Sequence, residues 1–385
     1  MRKMFAWPMA IIFMGLSVLL FADVKPAYAG KKVWEEGDSS LTIFGDMRLR
    51  IEQDDDSKKD ETRDRWRIRL RPGMKFVYNK TASVGFRLRT ATGSIQSPHQ
   101  TLEVGDPSGN QQFGVDRAYF KLNFSGFYVW GGKNAINIWN PADETLWDDD
   151  LQPEGLALGY KRGGLHIGLS RFIVNEAGWG DDNTLIATQV SYGGGDNVKF
   201  KVAVGALVFN DGIGENGPSM TGVDAINPGG ESTLTHVAGE IKVTSIKLRV
   251  GASYTTSNTD GAWGYTYDDT GARSGAALGD DDKTGVVAWV RGKAGKVDLR
   301  VYYWDMGYAA QPGLGKFGQD NFPFTTNFTG YHLQVGYKFF NAMSADFRVY
   351  IQSTKNEDIK VWNSNVVMQG ERDRTRYQIN LNFKF

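Results

Sequence analysis

Hydrophobic and polar residues alternate along residues 63–78, RDRWRIRLRPGMKFVY. Because successive side chains of a β-strand point to opposite faces, this alternation predicts a strand with one apolar and one cationic face. A helix of the same sequence would scatter the arginines around its axis. The apolar face is long and aromatic, and a row of arginines is too costly to bury in a dry core. A wall between lipid and a water-filled lumen satisfies both faces, which is typical of a transmembrane β-barrel strand.

The same alternation recurs in sixteen segments, and the breaks between them are alternately short and long. The first predicted strand covers residues 41–53, and the last one ends at Phe385. Bacterial outer-membrane barrels combine an even number of strands with short turns at one end and long loops at the other. We therefore predict an all-β fold, a transmembrane antiparallel barrel of sixteen strands with short periplasmic turns and long extracellular loops. A barrel of this size encloses an aqueous channel.

The composition excludes several other classes of protein. The chain has 385 residues and no cysteine, so neither a disulfide framework nor a cysteine-ligated metal site is possible. Its 44 basic and 44 acidic residues balance, which gives no indication of a nucleic-acid partner. The four histidines lie in no motif with a nucleophile, so we predict no enzymatic activity. No cofactor or metal site is predicted either, because the aspartate runs lack a binding-loop pattern.

Residues 1–29 have the features of a secretory signal peptide. A basic start precedes a short apolar core at residues 10–22, and the small-x-small sequence AYA follows at residues 27–29. The apolar core is too short to cross a membrane as a helix, although a retained anchor is the alternative. We predict cleavage before Gly30, which leaves residues 30–385 as a single barrel domain in the outer membrane of a Gram-negative bacterium.

The last predicted strand carries Tyr377, Ile379, Leu381, Phe383 and Phe385 on one face. A terminal aromatic residue on an amphipathic strand resembles the C-terminal signature that the barrel-assembly machinery reads in outer-membrane proteins. We therefore predict that Phe385 is the barrel-assembly signal. The alternative is an ordinary edge strand that happens to end in phenylalanine.

The first four predicted strands carry arginines on the face that would line the lumen. These residues, called the arginine ladder below, are Arg48, Arg50, Arg65, Arg67, Arg69, Arg71, Arg87, Arg89 and Arg117. A guanidinium group stays charged and donates hydrogen bonds in a rigid fork, so a row of them suits carboxylates or phosphates. Two interpretations stay open. The ladder either shapes permeation or pairs with facing acids and stiffens the wall.

The acidic residues that could face the ladder lie in the predicted third outer loop, residues 135–154. They are Asp143, Glu144, Asp148, Asp149 and Asp150. Trp139 and Trp147 could anchor this loop. Acids on the loop and arginines on the wall would create a transverse field, which orients charged solutes as they pass. The alternative is a solvated extracellular loop.

Several motifs resemble the opening part of a putative-porin family of Gram-negative bacteria. They are FGDMRLR (44–50), RDRWRIRLRPGM (63–74), GFRLRTATG (85–93), SPHQTL (97–102), DRAYFKL (116–122), GGKN (131–134) and LWDDDLQPEGLALGY (146–160). The resemblance covers residues 40–160, and the second half matches only in pattern. It implies an outer-membrane porin, and sixteen-stranded porins generally fold the third outer loop into the barrel and form homotrimers. It adds little about the substrate.

Three functions are compatible with these observations. We predict a channel for the passive diffusion of small hydrophilic solutes. The alternative is a substrate-selective anion channel that uses the arginine ladder as a binding track. A structural barrel plugged by its own loops is a third possibility. An open-channel current distinguishes the plugged barrel from the two channels, and a saturable current distinguishes the selective channel from the diffusion pore.

Overall fold

The computed structural model describes residues 30–91, 96–103, 112–141, 146–176, 182–210, 232–258, 265–267, 273–275, 278–311, 317–318, 321–322, 326–358, 361–363, 366–368 and 371–385. The predicted signal peptide, residues 1–29, lies outside the described residues, and so do Asp143 and Glu144. Within the described ranges, no helix is long and apolar enough to cross a membrane.

Sixteen antiparallel strands form a closed barrel. They are β1 (Ser39–Asp56), β2 (Arg63–Tyr78), β3 (Ala82–Thr90), β4 (Phe113–Phe124), β5 (Phe127–Lys133), β6 (Glu154–Arg162), β7 (Leu165–Asn175), β8 (Asn183–Gly194), β9 (Val198–Asn210), β10 (Ser232–Val243), β11 (Leu248–Ser257), β12 (Thr284–Ala294), β13 (Val297–Met306), β14 (Phe328–Phe340), β15 (Met343–Thr354) and β16 (Asp373–Lys384). Each strand pairs with the next, and β16 pairs with β1. The predicted sixteen-stranded antiparallel barrel is confirmed.

Long connections, called outer loops, follow every odd-numbered strand, and short turns follow the even-numbered ones. The second, third and seventh outer loops follow β3, β5 and β13. Several short elements accompany the barrel. They are the strands Lys31–Glu36, Gln100–Thr101, Tyr265–Tyr267, Arg273–Gly275, Val361–Asn363 and Val366–Met368, and the helical turn Asp280–Lys283.

The strand Lys31–Glu36 was not predicted from the alternation of residues. It pairs with residues 39–43 of β1, which lie before the first β1 residue paired with β16, Asp46. This short strand therefore covers an edge whose backbone groups would otherwise be unpaired. All six of its residues are exposed, and its sequence KKVWEE carries no clear apolar face. Its position depends on where β16 ends, which the local sequence does not show.

Burial in this barrel is the reverse of burial in a soluble protein. Trp66 and Tyr78 on the outer face of β2 are 61% and 57% exposed. By contrast, the inward side chains Arg50 and Glu52 of β1 are 4% and 0% exposed. Charged residues are rarely buried unless they are paired, so the inner wall must satisfy its own charges. The apolar side chains Trp66 and Tyr78 of β2 face outward, as the alternation predicted.

The C-terminal residue closes the seam between β16 and β1. The amide nitrogen of Phe385 donates to the carbonyl oxygen of Gly45 at 3.0 Å, and the Gly45 nitrogen donates to the Phe385 oxygen at 2.8 Å. A Cβ atom on Gly45 would lie 2.4 Å from the Phe385 ring. The ring therefore covers a position that only glycine can fill without displacement. The role of Phe385 as an assembly signal stays a prediction.

Candidate functional site

The structure places all nine arginines of the ladder on the first four strands of the barrel. The register sets Arg48 opposite Arg69, and Arg50 opposite Arg67, across β1 and β2. Like charges in directly opposed positions repel each other. The wall therefore needs acidic groups between the arginines, and β1 supplies most of them.

Glu52 is the acidic centre of the upper part of the ladder. Its side chain is fully buried and forms an ion pair with Arg65. The same carboxylate lies 3.5 Å from Nη1 of Arg50 and 3.6 Å from Nη1 of Arg67. Asp54 accepts a further hydrogen bond from Arg65 at 3.1 Å. Buried charges are tolerated when they are paired and hydrogen-bonded, so these arginines contribute to the wall itself.

A second acidic group arises from an irregularity that the sequence did not predict. The pairing of β3 with β4 shifts between Arg87 and Leu88, which leaves Asp116 as an extra residue on β4. A β-bulge re-aims the side chain at that position. Asp116 is 1% exposed and forms an ion pair with Arg87. Its neighbour Arg117 donates from Nε to Oε1 of Gln152 in the third outer loop at 2.8 Å.

Asp150 connects the third outer loop to the ladder. Its carboxylate lies 2.5 Å from Nη1 of Arg71 and 3.2 Å from Nη1 of Arg69. Asp46 of β1 contacts the same two arginines at 2.9 and 2.8 Å. Arg89 donates to the backbone oxygen of Asp150 at 3.2 Å. These contacts of Asp150 are called the loop clamp below.

The loop clamp keeps Asp150 ionised. Burial alone would raise the pKa of Asp150, but the guanidinium groups of Arg69 and Arg71 outweigh this effect and hold the pKa below its usual range. A carboxylate between two cations is stabilised in its charged form. Asp150 therefore fixes the loop against the wall rather than facing the ladder across open water.

The other acids of the loop have different surroundings. The buried Asp148 accepts a hydrogen bond from the backbone nitrogen of Asp150 at 2.7 Å, which shapes the turn. Asp149 is exposed and lines the lumen. Asp148 therefore shapes the turn, Asp149 faces the lumen, and Asp150 binds the arginines.

The third outer loop also packs on an apolar part of the inner wall, called the apolar seat below. Leu146 is fully buried and Trp147 is 3% exposed. The Trp147 ring stacks on Phe317 of the seventh outer loop, and Phe317 stacks on Phe209 of β9, with centroid distances of 5.5 and 5.7 Å. The wall residues of the seat are Tyr128, Trp130, Ala157, Phe172, Leu185, Ala187, Leu207, Phe209 and Leu234.

Two further outer loops enter the lumen, and neither was predicted to do so. In the second outer loop, the carbonyl oxygen of His99 accepts a hydrogen bond from Arg67 at 3.1 Å. In the seventh, the carbonyl oxygen of Asn321 accepts one from Arg376 at 2.8 Å. Because backbone carbonyls are present at every residue, these contacts leave no signal in the sequence. The arginines of the wall therefore hold three loops.

Comparison with known proteins agrees with this architecture. Residues 53–178 match the model of a family described as putative porin. Salmonella typhi OmpF, solved in complex with daunomycin, aligns with 92% of this chain and 100% of its own, at 12% identity and a TM-score of 0.56. The chain has a porin fold. A multiple mutant of Rh. blastica porin aligns with 90% of this chain and 100% of its own, at 11% identity and a TM-score of 0.51.

The predicted resemblance to the putative-porin family is confirmed over residues 53–178, which include most of the ladder and the whole third outer loop. At 11% and 12% identity the solved structures establish the fold alone. No curated protein matches the sequence.

Two open cavities lie beside the loop clamp in the part of the barrel that the structure describes. The larger one, of about 650 Å³, lies between β1, β2 and β13–β16. Its charged lining consists of Asp46, Asp149, Asp150, Arg48, Arg69, Arg71, Arg300, Arg348 and Lys384. Four of these basic groups, Arg69, Arg71, Arg300 and Arg348, form ion pairs with carboxylates, so charges of both signs line the cavity. The smaller cavity, of about 460 Å³, lies between the third outer loop and the Arg71, Arg87 and Arg117 side chains.

Proposed function

We propose that this porin forms a water-filled channel through which small hydrophilic solutes diffuse across the outer membrane of a Gram-negative bacterium. The observation that carries this proposal is an open, charged cavity inside a closed barrel whose apolar side chains face outward. Pores select solutes through the charges and dimensions of their lining. The solutes pass without chemical conversion.

The third outer loop is proposed as the element that narrows the channel. Two observations support this role: Asp150 is clamped by Arg69 and Arg71, and Trp147 is buried in the apolar seat. These contacts lie on different parts of the inner wall, so this segment of the loop lies inside the barrel and bridges them. The cavities on its two sides share Arg71, Asp149 and Asp150.

Within the ladder, the ion-paired arginines are proposed to stiffen the wall and hold the loops. Arg65, Arg69, Arg71 and Arg87 each contact a carboxylate. An arginine that is already paired contributes less to the field that a passing solute experiences. Solutes are therefore expected to respond mainly to those charged groups of the larger cavity that form no ion pair with another side chain.

We also propose the route by which the barrel reaches the membrane. Residues 1–29 act as a cleaved signal peptide, the barrel-assembly machinery reads Phe385, and the folded barrels associate in lipid as homotrimers. The two backbone hydrogen bonds that Phe385 forms with Gly45 at the seam support the second step. N-terminal sequencing of the mature protein should begin at Gly30, and chemical crosslinking in membranes should give a trimer band.

The channel function is tested with purified, folded protein in a planar lipid bilayer. We expect stepwise increases in KCl current, each step corresponding to the insertion of open channels. Heat-denatured protein at the same concentration serves as the control and should give no steps. An absence of current from protein whose circular dichroism shows a folded barrel would contradict the proposal.

A further inference from the structure

Arg48 differs from its neighbours in the ladder. Its guanidinium lines the larger cavity, and its Nε donates to Oδ1 of Asn382 on β16 at 2.6 Å. Among the residues that the structure describes, no carboxylate lies within ion-pair distance of Arg48. Arg69, directly opposite on β2, is held by Asp46 and Asp150.

The acid on this part of the wall, Asp346, is engaged by other donors. Its Oδ1 accepts hydrogen bonds from Asn380 at 2.8 Å and from Nε of Arg348 at 2.5 Å. Its Oδ2 accepts one from Nδ2 of Asn382 at 2.7 Å. The Asn382 amide therefore stands between Arg48 and Asp346, accepting from the first and donating to the second. This arrangement orients Arg48 through Nε and leaves its two Nη groups for the cavity.

The surroundings of Arg48 favour the arrival of a negative charge. Arg50, Arg69 and Arg348 are its cationic neighbours. Each of these neighbours is paired with a carboxylate, so Arg48 is the cation of this group whose charge a bound anion would neutralise. The planar fork of a guanidinium group also matches two oxygens of one carboxylate or phosphate.

We propose that Arg48, oriented by Asn382 and flanked by Arg348, forms a binding site for a small oxyanion of the carboxylate or phosphate class. The proposal rests on the proposed channel function for the route by which the anion arrives. The cavity of about 650 Å³ is large enough for such a ligand with its water. The site is distinct from the loop clamp, because the clamp arginines already bind aspartates.

The site is tested by titrating trifluoroacetate into detergent-solubilised, folded protein and following the ¹⁹F resonance. We expect a saturable shift in the wild type. Arg48→Gln should raise the half-saturating concentration about tenfold, the factor expected for the loss of one charge-assisted pair. Acetate and inorganic phosphate, added separately as competitors, identify which of the two oxyanions binds more tightly. A shift that does not saturate in the wild type would overturn the proposal.

Two variants separate a defined site from general attraction by positive charge. Arg300→Gln removes a charge from the same cavity, but Arg300 pairs with Asp298 at 2.6 Å. We expect its half-saturating concentration to change by less than about twofold, as for other ion-paired surface charges. Arg48→Lys keeps the charge and loses the fork, so its binding should be intermediate. If Arg48→Gln and Arg300→Gln weaken trifluoroacetate binding equally, the proposal of a defined site at Arg48 is wrong.

The bilayer current distinguishes a failure of this proposal from a failure of the proposed function. A normal current without saturable trifluoroacetate binding would remove the Arg48 site and leave the channel. The opposite result is saturable trifluoroacetate binding that Arg48→Gln weakens, in a protein that passes no current. It would contradict the channel function and support the Arg48 site.

Discussion

Two regions of the inner wall hold the third outer loop by different forces. The ladder binds Asp150 through Arg69 and Arg71, whereas the apolar seat buries Trp147 against Phe317 and β9. Partly exposed ion pairs contribute ~0–1 kcal/mol each. Burial of a large apolar side chain contributes ~2–3 kcal/mol. The seat therefore supplies most of the free energy that keeps the loop in the lumen, and the clamp fixes where its acids lie.

The largest effect is expected from Trp147→Ala. Removing a buried aromatic side chain from a packed cluster costs ~3–5 kcal/mol, which is enough to release the loop from the seat. We expect a higher single-channel conductance, and we expect larger solutes to permeate in liposome-swelling assays. Trp66→Ala is the matched control, because Trp66 is 61% exposed on the outer face. Unchanged conductance in folded Trp147→Ala would show that the seat does not set the width of the channel.

A smaller effect is expected from Asp150→Asn. The substitution removes two ion pairs of ~0–1 kcal/mol each, so it weakens loop attachment by at most ~2 kcal/mol. It also leaves more positive charge in the lumen, so the reversal potential under a KCl gradient should shift toward anion preference. Asp149→Asn removes an equal charge from the exposed neighbour and should shift the reversal potential without loosening the loop. Current noise should therefore rise in Asp150→Asn alone, and equal noise in both variants would contradict the clamp.

The two regions also differ in how well the sequence predicted them. Strict alternation placed the arginines of β2 on the inner face, because a strand has a fixed period of two. Applied to β4, the same rule would put Asp116 on the outer face, but a bulge turns its side chain inward onto Arg87. The partners Arg50 and Asn380 are 330 residues apart. Such pairings depend on how the barrel closes, which no local pattern encodes.

The apolar seat was harder to predict for a different reason. On β9, for example, Leu207 and Phe209 are buried on the inner face while Val202 and Val204 are exposed on the outer face, so apolar residues lie on both faces. An apolar residue on the inner face is removed from water only when a loop covers it in the folded barrel. Trp147 was recognised as an anchor from its loop, but Phe317 lies 170 residues further along the chain. The stack between them forms only in the folded barrel.

A double variant measures whether the two regions act on one rigid loop. If the seat and the clamp restrain the same segment, Asp150→Asn should add little noise once Trp147→Ala has released the loop. We expect a coupling of ~0.5–1 kcal/mol, as for residues that share one structural element. Gating statistics of the two single variants and the double variant give this value. Fully additive effects would mean that the two regions restrain separate parts of the loop.

The smallest effect is expected from a change of pH. The pKa of Asp150 is lower in the folded barrel than in the unfolded chain, where an aspartate titrates near pH ~3.9. The clamp therefore contributes its full stability above that value, and loses it only as the pH falls through the lower folded pKa. Conductance and noise should stay constant from about pH 8 to about pH 5. In stronger acid the wild type should come to resemble Asp150→Asn, which serves as the control for all other titrating groups. A change in noise centred between pH 5 and 8 that Asp150→Asn abolishes would mean that the guanidinium groups do not hold this carboxylate ionised.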